Sequence, residues 1–138
     1  MELNHPRILN IVKFADLRGN LSVLENPSTL PFEIARAYWI HGVPAGGTRH
    51  GHAYYSSQEL IIALSGSFDV ITDSAAGTKQ FTLSRADCGL YLPPLTWREI
   101  YNTSTNSVAL IVSSTLYDEL DYIRDLSEFK QIIDNEHR

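Results

Sequence analysis

The sequence predicts an all-β barrel or sandwich closed by a short C-terminal α-helix. Three observations lead there. Short runs rich in β-branched and aromatic residues recur over the first hundred or so positions. Gly, Pro, Asn and Ser clusters punctuate them as turns. Beyond Tyr117 the apolar residues change to helical spacing. Strands spaced this closely belong to closed or double-sheet architectures.

In order, Ile8 to Phe14 reads as a first strand, Arg18-Gly19-Asn20 as a turn, and Leu21 to Leu24 as a short strand. Residues 27–31 read as a loop and Phe32 to Ile40 as a strand, with Trp39 assigned to the core. Residues 42–47 hold Pro44, Gly46 and Gly47 and read as a loop. Glu59 to Leu64, the turn Ser65-Gly66-Ser67 and Phe68 to Thr72 form a hairpin. Lys79 to Leu83, Gly89 to Leu92, Glu99 to Asn102 and Val108 to Ser113 complete the strands. Leu126, Phe129, Ile132 and Ile133 then mark one face of a helix, for which Ser127 is an N-cap candidate. The expected helical segment is 117–135. Asp118, Asp121 and Arg124 are expected to tie it to the barrel.

The chain of 138 residues suits one domain over 1–138. A domain of that size buries roughly two-thirds of the surface its unfolded chain exposes. A net charge of −5 and no Lys/Arg run argue against a nucleic-acid partner. The apolar runs are too short to span a membrane. Cys88 is the sole cysteine, so no intramolecular disulfide can form. The residues after Met1 form neither the charged nor the apolar part of a secretory leader. A reducing, cytoplasmic location is the expectation.

The stretch that carries chemistry runs from Gly46 to Gly66. Gly46, five residues, His52-Ala53-Tyr54, four residues, Glu59, six residues and Gly66 follow one another. This spacing resembles the first motif of the cupins, whose fold is a double-stranded β-helix or jelly-roll barrel. Their second motif aligns with Cys88, Pro94, Thr96, Arg98 and Asn102. Metal-binding cupins place three histidines and a glutamate where this chain has His52, Tyr54, Arg98 and Glu59. A guanidinium stays protonated and repels a cation. A phenol is a poor ligand for the ions such sites usually hold. His50-Gly51-His52 also reads as His-x-His, so His50 could supply an imidazole to the same face if no bulge intervenes. The expectation is a site without metal and without cofactor.

A closer resemblance is to the metal-free sugar 3,4-ketoisomerases, the WxcM-like family. Arg49-His50-Gly51-His52-Ala53-Tyr54 is similar to that family's Arg-Gly-x-His-Ala-His string. Asp16 to Leu21, Pro31 to Trp39, Leu64 to Ser67, Gly89 to Tyr91, Trp97 to Glu99 and Tyr117 to Arg124 match further landmarks in order and spacing. The resemblance implies a nucleotide-linked sugar, usually a thymidine diphosphate sugar, whose ketone moves from carbon 4 to carbon 3 through an enediolate. It also implies a homodimer, and a place in deoxy- or amino-sugar synthesis for lipopolysaccharide or another surface polysaccharide. His52 is then the base, with Tyr54 or Tyr38 as proton relay. The substrate's diphosphate needs arginines, for which Arg18, Arg36, Arg49 and Arg98 are candidates, with Glu59 beside them. Trp97 and Tyr91 are candidates for stacking. This chain departs from the family at its second histidine, which is Tyr54. An unperturbed phenol titrates near ~10 against ~6.5 for imidazole, so it is the weaker base at neutral pH. The alternative is therefore a binding module that keeps the sugar-nucleotide pocket and is catalytically impaired. Without the resemblance, His52 reads as an interior histidine, Tyr54 and Tyr38 as strand aromatics, and Glu59 as a buried acid paired with an arginine.

Overall fold

The computed structural model describes residues 5–136, without the side chains of residues 49 and 50. Twelve strands are present among the described residues: β1 (Arg7–Asn10), β2 (Val12–Asp16), β3 (Gly19–Val23), β4 (Arg36–Ile40), β5 (Arg49–Tyr54), β6 (Glu59–Ser65), β7 (Phe68–Ser74), β8 (Gly77–Leu83), β9 (Cys88–Leu92), β10 (Trp97–Tyr101), β11 (Val108–Ser113) and β12 (Tyr122–Ile123). One helix, α1 (Leu126–Glu136), follows. Two five-stranded antiparallel sheets form, β1-β9-β6-β11-β4 and β12-β5-β10-β7-β8. The hairpin β2–β3 stands as a separate two-stranded sheet.

Strand alternation explains the two-sheet core. Ile61 and Ala63 of β6, Leu90 and Leu92 of β9, and Ala109 and Ile111 of β11 face Phe68 and Val70 of β7 and Ile100 of β10. The alternate residues Leu60, Ile62 and Val112 face outward, where Ile11, Leu30, Phe32 and Tyr91 cover them. Gly66, with φ +67°, turns the β6–β7 hairpin in a conformation that L side chains rarely adopt.

Several expectations shift. The 8–14 strand is broken at Ile11, which is buried, while its two halves join different sheets. The 32–40 strand begins only at Arg36, because Phe32 tucks beneath the sheet near Tyr91. Trp39 is not core: it points outward from β4 and is 60% exposed. Residues 117–135 are not helical throughout. A single 3-10 turn (Glu119–Asp121) and β12 precede α1. Asp125, not Ser127, caps the helix, accepting from the backbone N–H of Ser127 (2.8 Å) and Glu128 (3.3 Å). Phe129 anchors α1 on the outer face of the second sheet, against Ala53, Trp97 and Ile123. Leu126 contributes little to that face and is 37% exposed. No helix among the described residues is long and apolar enough to cross a membrane.

Candidate active site

Strand β5 falls where the sequence shows no strand pattern, yet it positions the central residue. Its register with β10 pairs His52 with Arg98 and Arg49 with Ile100. Three residues of β5 therefore match two of β10, which puts a bulge between Arg49 and His52. Simple alternation fails across that bulge, so the condition set for His50 is not met. The side chains of His50 and Arg49 lie outside the described residues. Gly51 sits in the bulge because a Cβ there would meet the Trp97 indole and Glu99 side chain at 2.5 Å. Beyond the bulge, His52 and Tyr54 share the inner face while Ala53 packs outward on Ile123.

One end of the barrel interior is polar. Glu59, with no exposure, is the first residue of β6 and lies at its centre. Arg98 Nη1 donates to Glu59 Oε1 at 2.6 Å. Tyr38 Oη donates to Glu59 at 3.0 and 2.9 Å. Arg36 Nη2 lies 3.6 Å from Glu59 Oε2 and donates to Ser113 Oγ at 3.4 Å. Tyr54 Oη is 3.4 Å from Tyr38 Oη. The Tyr38 proton points at the carboxylate, so in that contact Tyr54 is the donor. The Arg98 guanidinium also stands over the Tyr54 ring, 5.1 Å from its centroid. Desolvation and the nearby Glu59 charge push both phenols upward, so Tyr38 and Tyr54 stay protonated at neutral pH.

Above this network lies a cavity of about 590 Å³. Its walls include Tyr38, His52, Arg98, Tyr122 and Arg124, with Ile40, Ile61, Ile100 and Ile111 supplying apolar surface. The His52 ring meets Tyr54 edge-on at 5.0 Å and Tyr122 at 5.3 Å. Arg98 Nη2 is buried and has no hydrogen-bond partner among the described residues.

Of the sequence candidates, His52, Tyr38 and Arg98 border the cavity. Glu59 and Tyr54 lie in the network that supports them, and Arg36 flanks it. Arg18 is elsewhere in this chain: at the tip of the β2–β3 hairpin it is 90% exposed and pairs with Asp16 at 2.7 Å. Neither proposed stacker reaches the cavity. Trp97 is sandwiched under Phe129 on the outer face and donates to Glu99 at 2.8 Å. Tyr91 packs in the other outer cluster and donates to Gln58 at 2.6 Å. Asp121 does anchor the C-terminal segment, accepting from the backbone and hydroxyls of Ser56 and Ser57. Sequence reasoning misses Tyr122 as a wall residue and gives Arg124 only an anchoring role. Their i, i+2 spacing is the available signal, but only their docking beside β5 gives it meaning. No cluster of three or more His, Cys, Asp or Glu side chains suited to a metal ion occurs among the described residues.

An antiparallel two-sheet barrel with a polar cluster at one end of its interior defines a cupin. A family model described as "FdtA: WxcM-like, C-terminal" matches residues 4–134, and the chain belongs to that family. It is 34% identical over 127 residues to the TDP-4-oxo-6-deoxy-alpha-D-glucose-3,4-oxoisomerase of Aneurinibacillus thermoaerophilus, covering 92% of this chain and 91% of that one. The WlaRB TDP-quinovose 3,4-ketoisomerase of Campylobacter jejuni is 36% identical with a TM-score of 0.86, over 91% of this chain and 97% of its own. QdtA, a sugar 3,4-ketoisomerase from Thermoanaerobacterium thermosaccharolyticum solved with TDP, is 30% identical with a TM-score of 0.92 over the whole of both chains.

Proposed function

We propose that the protein is a sugar-nucleotide 3,4-ketoisomerase that converts TDP-4-keto-6-deoxyglucose to a 3-keto isomer in deoxy- or amino-sugar synthesis for a surface polysaccharide. The observation that carries this reading is the cavity wall itself: an imidazole, a protonated phenol and a buried guanidinium border one space. The His52 imidazole takes the proton from sugar carbon 3. The electron pair left behind forms the enediolate, whose developing charge the Arg98 guanidinium on the cavity wall stabilises. The hydroxyl proton on oxygen 3 passes to oxygen 4, and a proton returned to carbon 4 completes an exchange that is neutral in atoms and electrons. Tyr38, on the wall and fixed by Glu59, is the relay; Tyr54 holds Tyr38 from behind. The test is incubation with TDP-4-keto-6-deoxyglucose in deuterium oxide, followed by proton NMR. The 3-keto isomer should appear with deuterium on the ring. Tight binding of the substrate with no exchange would instead favour the impaired binding module, to which Tyr54 in place of histidine points.

The working unit in this reading is a homodimer in the cytoplasm. Support comes from the β2–β3 hairpin, which hydrogen-bonds to neither barrel sheet and exposes Phe14 (61%), Leu17 (107%) and Leu21 (58%). An isolated hairpin is marginal in water. A second copy covers these side chains and gives the hairpin a sheet to join. Light scattering should return twice the chain mass for the native protein and a single chain mass for a Phe14→Ser/Leu21→Ser variant. A native monomer would remove the dimer from the account.

A further inference from the structure

We infer that Arg36, from behind the cavity wall, serves the proposed isomerisation through its charge: it leaves the ion cluster inside the barrel one positive charge in excess, and the enediolate supplies the missing negative charge. The inference rests on the ketoisomerase reading above. The excess follows from the groups present. The Glu59 carboxylate, with no exposure, lies 2.6 Å from Arg98 Nη1 and 3.6 Å from Arg36 Nη2. Side-chain exposure is 4% at Arg98 and 14% at Arg36. A guanidinium keeps its proton in a protein. Tyr38 and Tyr54 are pushed upward by desolvation and by Glu59, so both stay neutral. Two guanidiniums thus share one carboxylate. The acids of the adjoining segments are engaged with other groups: Asp121 with Ser56 and Ser57, Glu119 with Arg124 and Tyr117, Glu99 with Trp97 and Tyr101.

Arg36 is the surplus member. Arg98 makes the short bond to Glu59, and those two form a balanced pair. Arg36 is held mainly by neutral groups. Its guanidinium lies 5.4 Å from the centroid of the Tyr38 ring and 5.7 Å from that of Tyr117. Nη2 donates to Ser113 Oγ at 3.4 Å, and the buried Nε has no hydrogen-bond partner among the described residues. A cation kept this dry on a shared counter-charge costs stability. Proteins keep such local costs where function needs them.

The charge reaches the reacting carbons through its neighbours. Arg36 does not border the cavity, but Tyr38 and Arg98 do. The field of Arg36 therefore crosses one aromatic ring in a dry interior, where salt screens weakly. The ring of the 4-keto sugar is neutral before reaction and negative as the enediolate. An excess positive charge favours the second state over the first, so it lowers the barrier without tightening the binding of substrate. His52, which gains the proton, stands on β5 of the facing sheet. A sugar in the cavity then lies between the imidazolium and Arg36, nearer to Arg36 than the imidazolium is.

Turnover of TDP-4-keto-6-deoxyglucose, calorimetric TDP affinity and urea unfolding of the full chain test this together. Arg36→Met still packs a straight chain on both rings. Its kcat should fall about tenfold, the effect of one charge roughly 10 Å away at an effective dielectric constant near ~20. Its TDP affinity should stay close to native. It should unfold at no less urea than the native protein, because Glu59 and Arg98 remain as a balanced pair. Arg36→Lys restores the charge and should recover most of the lost kcat. Unchanged kcat in Arg36→Met would overturn the inference. So would a lysine variant as slow as the methionine one, which would make the role one of shape. A fall in TDP affinity equal to the fall in kcat would make Arg36 a phosphate ligand instead. A methionine variant that fails to fold, or unfolds at markedly less urea, would make it a structural residue. A native protein without turnover would sink the ketoisomerase reading on which the inference stands.

Discussion

A His52→Asn variant should bind TDP as the native protein does and lose turnover by a factor of about 10²–10⁴, the contribution typical of one positioned acid–base group. The surroundings of the ring make this a clean test. Its backbone is fixed by pairing with Arg98 on β10. Its ring is held between Tyr54 at 5.0 Å and Tyr122 at 5.3 Å. Asparagine keeps a polar side chain of similar reach but offers no basic nitrogen at neutral pH. The other acidic and basic groups near the sugar are poor substitutes. Tyr38 and Tyr54 are pushed upward by desolvation and by Glu59, and a guanidinium holds its proton. Steady-state rates with the 4-keto sugar, read beside TDP affinity, check the prediction. Full turnover in the variant would take the base role from His52.

Glu59→Leu should destabilise the protein by about 3–5 kcal/mol, the usual consequence of removing one partner from a buried ion pair. That is a large share of the ~5–15 kcal/mol that holds a domain folded. The carboxylate has no exposure and is bonded by Arg98 and Tyr38, with Arg36 at 3.6 Å. Leucine leaves the Arg98 guanidinium buried with no counter-charge and the Tyr38 hydroxyl without its acceptor. Removing both charges is a different experiment. A Glu59→Leu/Arg98→Met variant should regain most of the lost stability, because well-packed apolar pairs replace buried ion pairs at little cost. It should not regain activity, since Tyr38 is left unfixed and the enediolate loses its donor. Urea unfolding of the three proteins measures the first claim, and turnover measures the second. A single variant as stable as the native protein would show that the network does not carry the barrel's polar end.

The same residues separate what is legible in the sequence from what is not. Between Glu59 and Ser113 the strands are readable, by alternation of core and solvent faces in Phe68 to Ser74 and by short apolar runs in β6 and β9; β12 is not. Glu59 as a buried acid paired with an arginine is readable too, and Arg98 is that arginine. β5 is not readable. It has one glycine in a bulge, two inward polar residues and no β-branched side chain, because its inner face serves the cavity rather than the core. Residue type assigns Trp39 to the core, yet β4 ends its sheet and its outer face is left bare. The helix start is blurred by two good caps, Asp125 and Ser127, two residues apart; only the bonds to Asp125 choose between them. Tyr122 reaches His52, and Arg124 the same cavity, from about seventy positions away in the chain, a distance that no local spacing can bridge.

The most direct measurement is a crystal structure of the protein grown with TDP. The account predicts the nucleotide in the cavity, with the diphosphate at its open end. Its terminal phosphate should lead inward, toward the space bounded by His52, Tyr38 and Arg98. A nucleotide bound on another face of the barrel would contradict it, and so would a coordinated ion between the imidazole of His52 and the carboxylate of Glu59.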